Sequence, residues 1–383
     1  MTITINNKNK KPNVPNLRFP EFQGEWEKTK FGDIAVVVGG GTPDTNTSQY
    51  WNGKIQWFTP SEIGRNKYVY NSVRTISEEG LNKSSAKFLP IGTILLSSRA
   101  TVGECSINKK ECTTNQGFQS LIPKENISNE FVYYLIQTKR KDLIRKSCGS
   151  TFLEISANEV RKIVVSIPTI KEQDKIAKLL SLLDERISTQ SKIIEDLKKL
   201  KSAISENLFK DVKGNIVMLS EICEIIKGKQ INGEFLSESG KYYVMNGGTE
   251  PSGYYSDYNV EANTISISEG GNSCGYVQFN PSPFWSGGHC YTIQEIADNV
   301  DNLYLYHFLK SKEDAIMKLR IGSGLPNIQK KDLAMFKIKI PTVEQQKAIS
   351  TFLSSLERKA EIEERIQNAM QKEKQYLLRQ MFI

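Results

Sequence analysis

Cysteine and histidine are scarce in this 383-residue chain. There are six cysteines, no two of them spaced as Cys-x-x-Cys, and only two histidines. A structural zinc site draws four such ligands at set spacings, so that class is excluded; the scattered thiols suit a reducing compartment, and the cytoplasm is the expected location. No apolar run approaches the roughly eighteen residues that cross a membrane, so no membrane is expected among the partners. The polar, basic start of the chain lacks the apolar centre of a secretory signal. Catalytic signatures are missing as well. There is no phosphate-binding Gly-x4-Gly-Lys-Ser/Thr: Gly228-Lys229 is followed by Gln230. His-Glu-x-x-His, Gly-x-Ser-x-Gly and an Asn/Asp-Pro-Pro-aromatic loop are absent. Gly39-Gly40-Gly41 reads as a turn rather than a phosphate cradle. His289, in Trp285-Ser286-Gly287-Gly288-His289-Cys290, has no nucleophile or carboxylate beside it in sequence and reads as a hydrogen-bonding loop histidine.

What is present is a duplication. Residues 167–209 and 340–382 align at an offset of 173 without a gap, and eight of the seventeen positions 167–183 are identical to their counterparts, where unrelated sequences would share about one. Each copy opens with Ile-Pro-Thr and a Glu or Gln three residues after the Thr (Thr169 with Glu172, Thr342 with Gln345), the spacing of a capping box. An apolar seam follows at steps of three and four: Ile176, Leu180, Leu183, Ile187, Ile194, Leu197, Ile204 and Leu208 in the first copy. Gln190 and Lys201 interrupt it, and Glu363, Gln367 and Lys374 interrupt the second. So long and narrow a seam predicts a coiled coil. About forty residues at 1.5 Å each give a rod of roughly 60 Å. Neither rod buries its seam alone, so the two are expected to pair with each other.

Each rod is preceded by a globule with the same order of elements. Strands are predicted at 34–38, 55–59, 93–97, 105–107, 119–122 and 163–167, with a helix over 129–146. The echo appears at 219–228, 264–268, 300–317 and 336–340, and Gly149-Ser150-Thr151 is echoed by Gly322-Ser323-Gly324. The expected class is α+β: two similar globules joined by two long helices that form a coiled coil. The expected divisions are a disordered arm 1–14, a globule 15–167, a helix 168–212, a second globule 213–340 and a second helix 341–383. A formal charge of +8 favours a polyanionic partner.

The carrying segments are Leu17-Arg18-Phe19-Pro20-Glu21-Phe22, Trp57-Phe58-Thr59-Pro60-Ser61-Glu62, 94–103, Thr114-Asn115-Gln116-Gly117-Phe118, 244–248, 266–275 and 284–288, with the two Ile-Pro-Thr helices the most specific among them. Together and in order they resemble the specificity subunit of type I restriction-modification systems. The resemblance covers nearly the whole chain from Pro15 onward. It implies two target recognition domains, each reading half of a split site in double-stranded DNA, with the two long helices antiparallel, related by a pseudo-twofold axis, and setting the spacing. It implies two docked methyltransferase subunits carrying S-adenosylmethionine, and two restriction subunits that use ATP and Mg to translocate and cut. No cofactor, metal or catalytic residue is expected in this chain.

Polar residues beside strand ends are the candidates for reading bases. In the first globule they are Thr59, Ser61, Ser97, Ser98, Arg99, Thr101, Asn115 and Gln116. In the second they are Asn246, Thr249, Ser268, Glu269, Asn272, Ser273 and His289. Arg99 suits a guanine edge; Asn115, Gln116 and Asn246 suit adenine. Lys146, Lys330 and Lys331 are phosphate candidates. For each, a turn-stabilising or solvated side chain is the competing reading. Two other functions stay open: a self-sufficient DNA nuclease, and a coiled-coil adaptor that never touches DNA.

Overall fold

The computed structural model describes residues 12–149, 153–322, 324 and 326–383. Most of the expected arm, together with Ser150, Thr151 and Ser323, lies outside them. Of the arm, Asn13 is tied down: its Nδ2 donates to the Trp26 carbonyl at 2.6 Å. The chain divides into two compact units, Met1–Thr189 with Asn368–Ile383, and Gln190–Gln367. Each globule is thus grouped with segments of both long helices.

In the first unit a five-stranded sheet runs in the order Ala35–Gly39, Gln119–Pro123, Ile94–Leu96, Cys105–Asn108, Tyr68–Val69. Ile94, Leu95 and Leu96 are all fully buried, as a strand covered on both faces requires. A second sheet holds Arg74–Ile76, Trp51–Phe58 and Cys112–Thr114, and Glu27–Lys30 pairs with Val164–Ile167. The second unit repeats the plan: Glu224–Lys227, Cys290–Gln294, Thr264–Ser268 and Val277–Asn280 in one sheet; Gly253–Tyr255, Tyr242–Met245 and Trp285–Ser286 in another; Asn215–Met218 against Lys337–Ile340. Two expectations are corrected. The helix over 129–146 is two helices, Asn129–Thr138 and Arg140–Arg145, because Lys139 (ψ 7°) breaks the spiral. The helix over 300–317 breaks in the same way at Lys312.

The long helices are Ile170–Asp211 and Val343–Met381. The first does not start with a capping box. The Glu172 carboxylate turns away from the cap, is 1% exposed, and takes bonds from Arg18 Nε and Nη2 (2.8 Å each) and from Trp26 Nε1 (3.2 Å). The docking device is instead a buried glutamine. Gln173 accepts from Ser128 N and donates to Pro168 O; Gln346, 173 residues on, accepts from Asp301 N and donates to Pro341 O.

The polar breaks in the seams bond across the helices. In the first unit Lys374 Nζ meets Asp184 at 2.6 Å. In the second, Lys201 meets Glu357 at 2.7 Å, Gln190 Nε2 donates to Glu363 Oε2 at 2.6 Å, and Gln367 Nε2 donates to Ser191 Oγ. In the second unit residue numbers rise on one helix as they fall on the other, from Gln190 with Glu363 to Lys201 with Glu357, so there the helices run antiparallel. Asp184 and Glu357, Lys201 and Lys374, and Gln190 and Glu363 are all counterparts at the 173 offset. Polar groups inside an apolar seam fix register at some cost in stability.

The ends of the rods enter the globular cores. Ile176, Ala177, Leu180, Leu378, Met381 and Phe382 join Trp26, Ile94 and Phe131 in the first unit; Phe209 and Leu353 join Ile265, Tyr304 and Phe308 in the second. Where the first unit has Tyr134, donating to Asp184 Oδ2 at 2.7 Å, the second has His307, whose Nε2 lies 2.9 Å from Ser354 Oγ. Burial pushes the His307 pKa down to about 4 from 6.5. The neutral ring is therefore favoured by folding, and its contribution is present above pH 6.5 and is lost as pH falls toward 4. The second unit is expected to lose about 3 kcal/mol over that window through this group. A His307→Phe variant should lose correspondingly less between pH 7 and 4.5 in denaturant unfolding.

Candidate nucleic-acid interface

In both units the candidate residues gather where strand ends meet, through one backbone scheme. In the first unit Ser98 N donates to Gly117 O, and Ser98 O accepts from Ile155 N. In the second, Glu269 N donates to His289 O, and Glu269 O accepts from Ile328 N. Ser98 thus corresponds to Glu269, and Gly117 to His289. Glycine turns close both edges. A Cβ on Gly40 would lie 2.0 Å from Asn115 O, and one on Gly228 would lie 2.2 Å from Gly287 O. Of the Gly39–41 cluster, Gly40 and Gly41, whose Cβ would lie 2.2 Å from Ser85 Oγ, serve close packing.

At the first edge, Asn115 N donates to Phe58 O, which sets Thr59 and Ser61 beside Asn115. Ser97 and Ser98 are fully buried, which corrects the expectation that they touch bases. Ser97 Oγ lies 2.9 Å from Thr101 Oγ1, and Ser98 Oγ has no hydrogen-bond partner among the described residues. Arg99 is half-exposed and held by Glu154, with Nη2 2.7 Å and Nε 3.1 Å from Oε2. Thr59 Oγ1 donates to Glu62 Oε2 at 2.7 Å, and Asn115 Oδ1 accepts from Gly117 N at 2.9 Å, so both shape their own turns. Thr101, Ser61 and Gln116 are exposed; Gln116 Oε1 accepts from Thr42 Oγ1. Lys146 pairs with Glu159 at 3.3 Å, two residues before Cys148, which bridges to Glu154.

At the second edge, Asn246 Oδ1 accepts from His289 N at 3.1 Å, and Ser268 Oγ, buried, donates to Gly247 O at 2.6 Å. Ser268 therefore supports the edge from within. Glu269 is 7% exposed: its Oε1 takes Lys227 Nζ at 2.6 Å and Tyr291 OH at 3.1 Å. His289 stands outside with Nδ1 3.8 Å from Glu269 Oε2. The sequence had shown that histidine without a carboxylate; the fold supplies one from 20 residues away. Burial, then Glu269, raises the Tyr291 pKa to about 12, which keeps the hydroxyl protonated as a donor. Thr249 and Asn272 are exposed and Ser273 is half-buried. Lys330 and Lys331 are exposed at the start of helix Lys330–Ala334, directly after Ile328 and Gln329.

Sequence reasoning missed Glu154, Lys227 and Tyr291. The only available signal was for Lys227, which precedes Gly228, the echo of Gly40. Among the described residues no group of three or more His, Cys, Asp or Glu side chains is placed to hold a metal ion, and no helix is long and apolar enough to cross a membrane.

Comparison with known proteins follows this geometry. The family model described as the type I restriction modification DNA specificity domain matches twice, over residues 23–199 and 212–372. Among curated proteins, the MjaIX specificity subunit of Methanocaldococcus jannaschii is 39% identical over 191 residues, 49% of this chain and 44% of that protein. The EcoR124I/EcoR124II specificity subunit of Escherichia coli is 31% identical over 175 residues, 44% of this chain and 43% of that protein. The chain thus spans less than half the length of either. The putative MjaX specificity subunit of M. jannaschii is 26% identical across 96% of this chain and 95% of its own. Among solved structures, the type I restriction-modification S subunit from M. genitalium shares the fold at a TM-score of 0.66, with 19% identity, over 97% of this chain and 99% of that one. The twofold match spans most of the sequence, and the chain belongs to the type I restriction modification DNA specificity domain family.

Proposed function

We propose that this chain is the DNA-recognition subunit of a type I restriction-modification complex in the cytoplasm. Each globule reads one half of a bipartite site, and the two long helices set the spacing. The observation that carries this reading is a pair of strand-end edges with one backbone scheme and different side chains: Ser98 and Gly117 in the first, Glu269 and His289 in the second. Equal frames with unequal faces suit two readers of unlike sequences. Arg99, Thr101, Gln116, Asn246, Thr249, Asn272 and His289 are the side chains for base edges, while Lys146, Lys330 and Lys331 hold phosphates.

Catalysis belongs to partners: two methyltransferase subunits that bring S-adenosylmethionine, and two restriction subunits that use ATP and Mg. The helices offer them a surface. In the second unit Ile193, Leu200, Phe352, Ile362 and Ile366 are each 39–51% exposed, more apolar side chain than a solvated helix needs.

Co-expression with the partner methyltransferase is expected to yield a complex with two methyltransferases per chain. That complex should methylate adenines at a split sequence of constant gap, mapped in host DNA with and without this chain. A chain that purifies alone and changes no methylated site rejects the reading. DNA cleavage by the isolated chain with Mg would favour a nuclease instead.

A further inference from the structure

The second edge carries a pair of side chains that the first lacks. The backbone bond Glu269 N to His289 O has its counterpart in Ser98 N to Gly117 O. At this one place the first globule presents a buried serine and no side chain, and the second a buried carboxylate and an exposed imidazole. Glu269 is 7% exposed, and its Oε1 is already shared by Lys227 and Tyr291. Its Oε2 is buried without a hydrogen-bond partner and lies 3.8 Å from His289 Nδ1. A buried carboxylate oxygen without a donor is costly, and the imidazole N–H is the donor at hand. The histidine itself is held from behind: its N donates to Asn246 Oδ1 at 3.1 Å, its O accepts from Glu269 N at 2.9 Å, and its side chain is 63% exposed.

We infer that Glu269 and His289 form a base-reading couple in which the carboxylate holds the proton on Nδ1 and leaves the outward Nε2 as a hydrogen-bond acceptor. This rests on the DNA-recognition role proposed above. In the major groove an acceptor at that point selects an exocyclic amine, N6 of adenine or N4 of cytosine, and rejects guanine and thymine, which present acceptors there. His289 is then the specificity-determining residue and Glu269 its positioning residue. The charged and titratable groups facing the couple are Lys227 and Tyr291, both on Glu269 Oε1.

The test is methylation mapping and competitor-duplex binding with the assembled complex. His289→Ala is expected to relax one position of one half-site, adenine or cytosine in the wild type, with discrimination there falling roughly 5- to 150-fold and the other half-site unchanged. Glu269→Gln lets either ring nitrogen carry the proton and should admit guanine or thymine at that same position, a change of base identity that lost packing alone does not produce. The inference is overturned if neither variant alters the methylated sequence while melting temperatures stay unchanged, or if the relaxed position is guanine or thymine in the wild type. A wild-type complex with no sequence preference rejects the recognition role itself, and this inference with it.

Discussion

Arg18→Ala is expected to cost the first unit about 3–5 kcal/mol, because it leaves a carboxylate buried without its cation. The Glu172 side chain is 1% exposed, and Arg18 grips it with two bonds of 2.8 Å while also donating through Nη1 to Gly24 O at 2.6 Å. Removal leaves Trp26 Nε1, at 3.2 Å, as the remaining neutral donor. Arg18→Lys should recover only part of the loss, since a single ammonium cannot reproduce the fork. Glu172→Gln should cost less than Arg18→Ala, because it removes the buried charge together with the need for its partner. Urea unfolding of the chain, followed by its tryptophan fluorescence, measures the loss. A loss below 1 kcal/mol for Arg18→Ala would mean that water reaches Glu172 and the ion pair is dispensable.

The second large effect is expected from Phe209→Ala, at about 3–5 kcal/mol in the second unit. Phe209 is 1% exposed, with its ring centroid 5.6 Å from Tyr304 and 5.3 Å from Phe308, both edge-on. Its counterpart Phe382 stacks on Phe131 at 5.2 Å and meets Trp26 at 6.3 Å in the first unit. Phe382→Ala should follow the same direction with a smaller loss, since Phe382 is 6% exposed. Differential scanning calorimetry that resolves the two units checks both variants. If Phe209→Ala leaves the transition of the second unit unchanged, the end of the rod is not part of that core.

The duplication was legible because helical periodicity is a local property. The 173 offset found in the sequence also pairs interactions that no local reading contains: Gln173 with Gln346, and Asp184 with Glu357. Gln190, Lys201, Glu363, Gln367 and Lys374 read as faults in an apolar seam. They are its cross-helix bonds, which appear only once the second helix lies alongside. The capping box failed at Glu172 for a related reason. A carboxylate three residues after a threonine suits a cap only when nothing stronger competes, and Arg18 competes from 154 residues away.

The candidate edges were found as regions rather than as side chains. Strand ends beside polar loops marked stretches that the fold brings together at two edges, yet Ser97, Ser98 and Ser268 are buried there, and Lys227 and Tyr291 went unnoticed. The sequence by itself determined the repeat, the two rods with their seam, and the strands that frame the two edges, because apolar spacing dictates these within a few turns of chain. Which polar groups face outward, and that a carboxylate stands behind His289, was decided only by tertiary structure. Burial and partnership at each edge depend on strands that are distant in sequence and meet only when the sheets close.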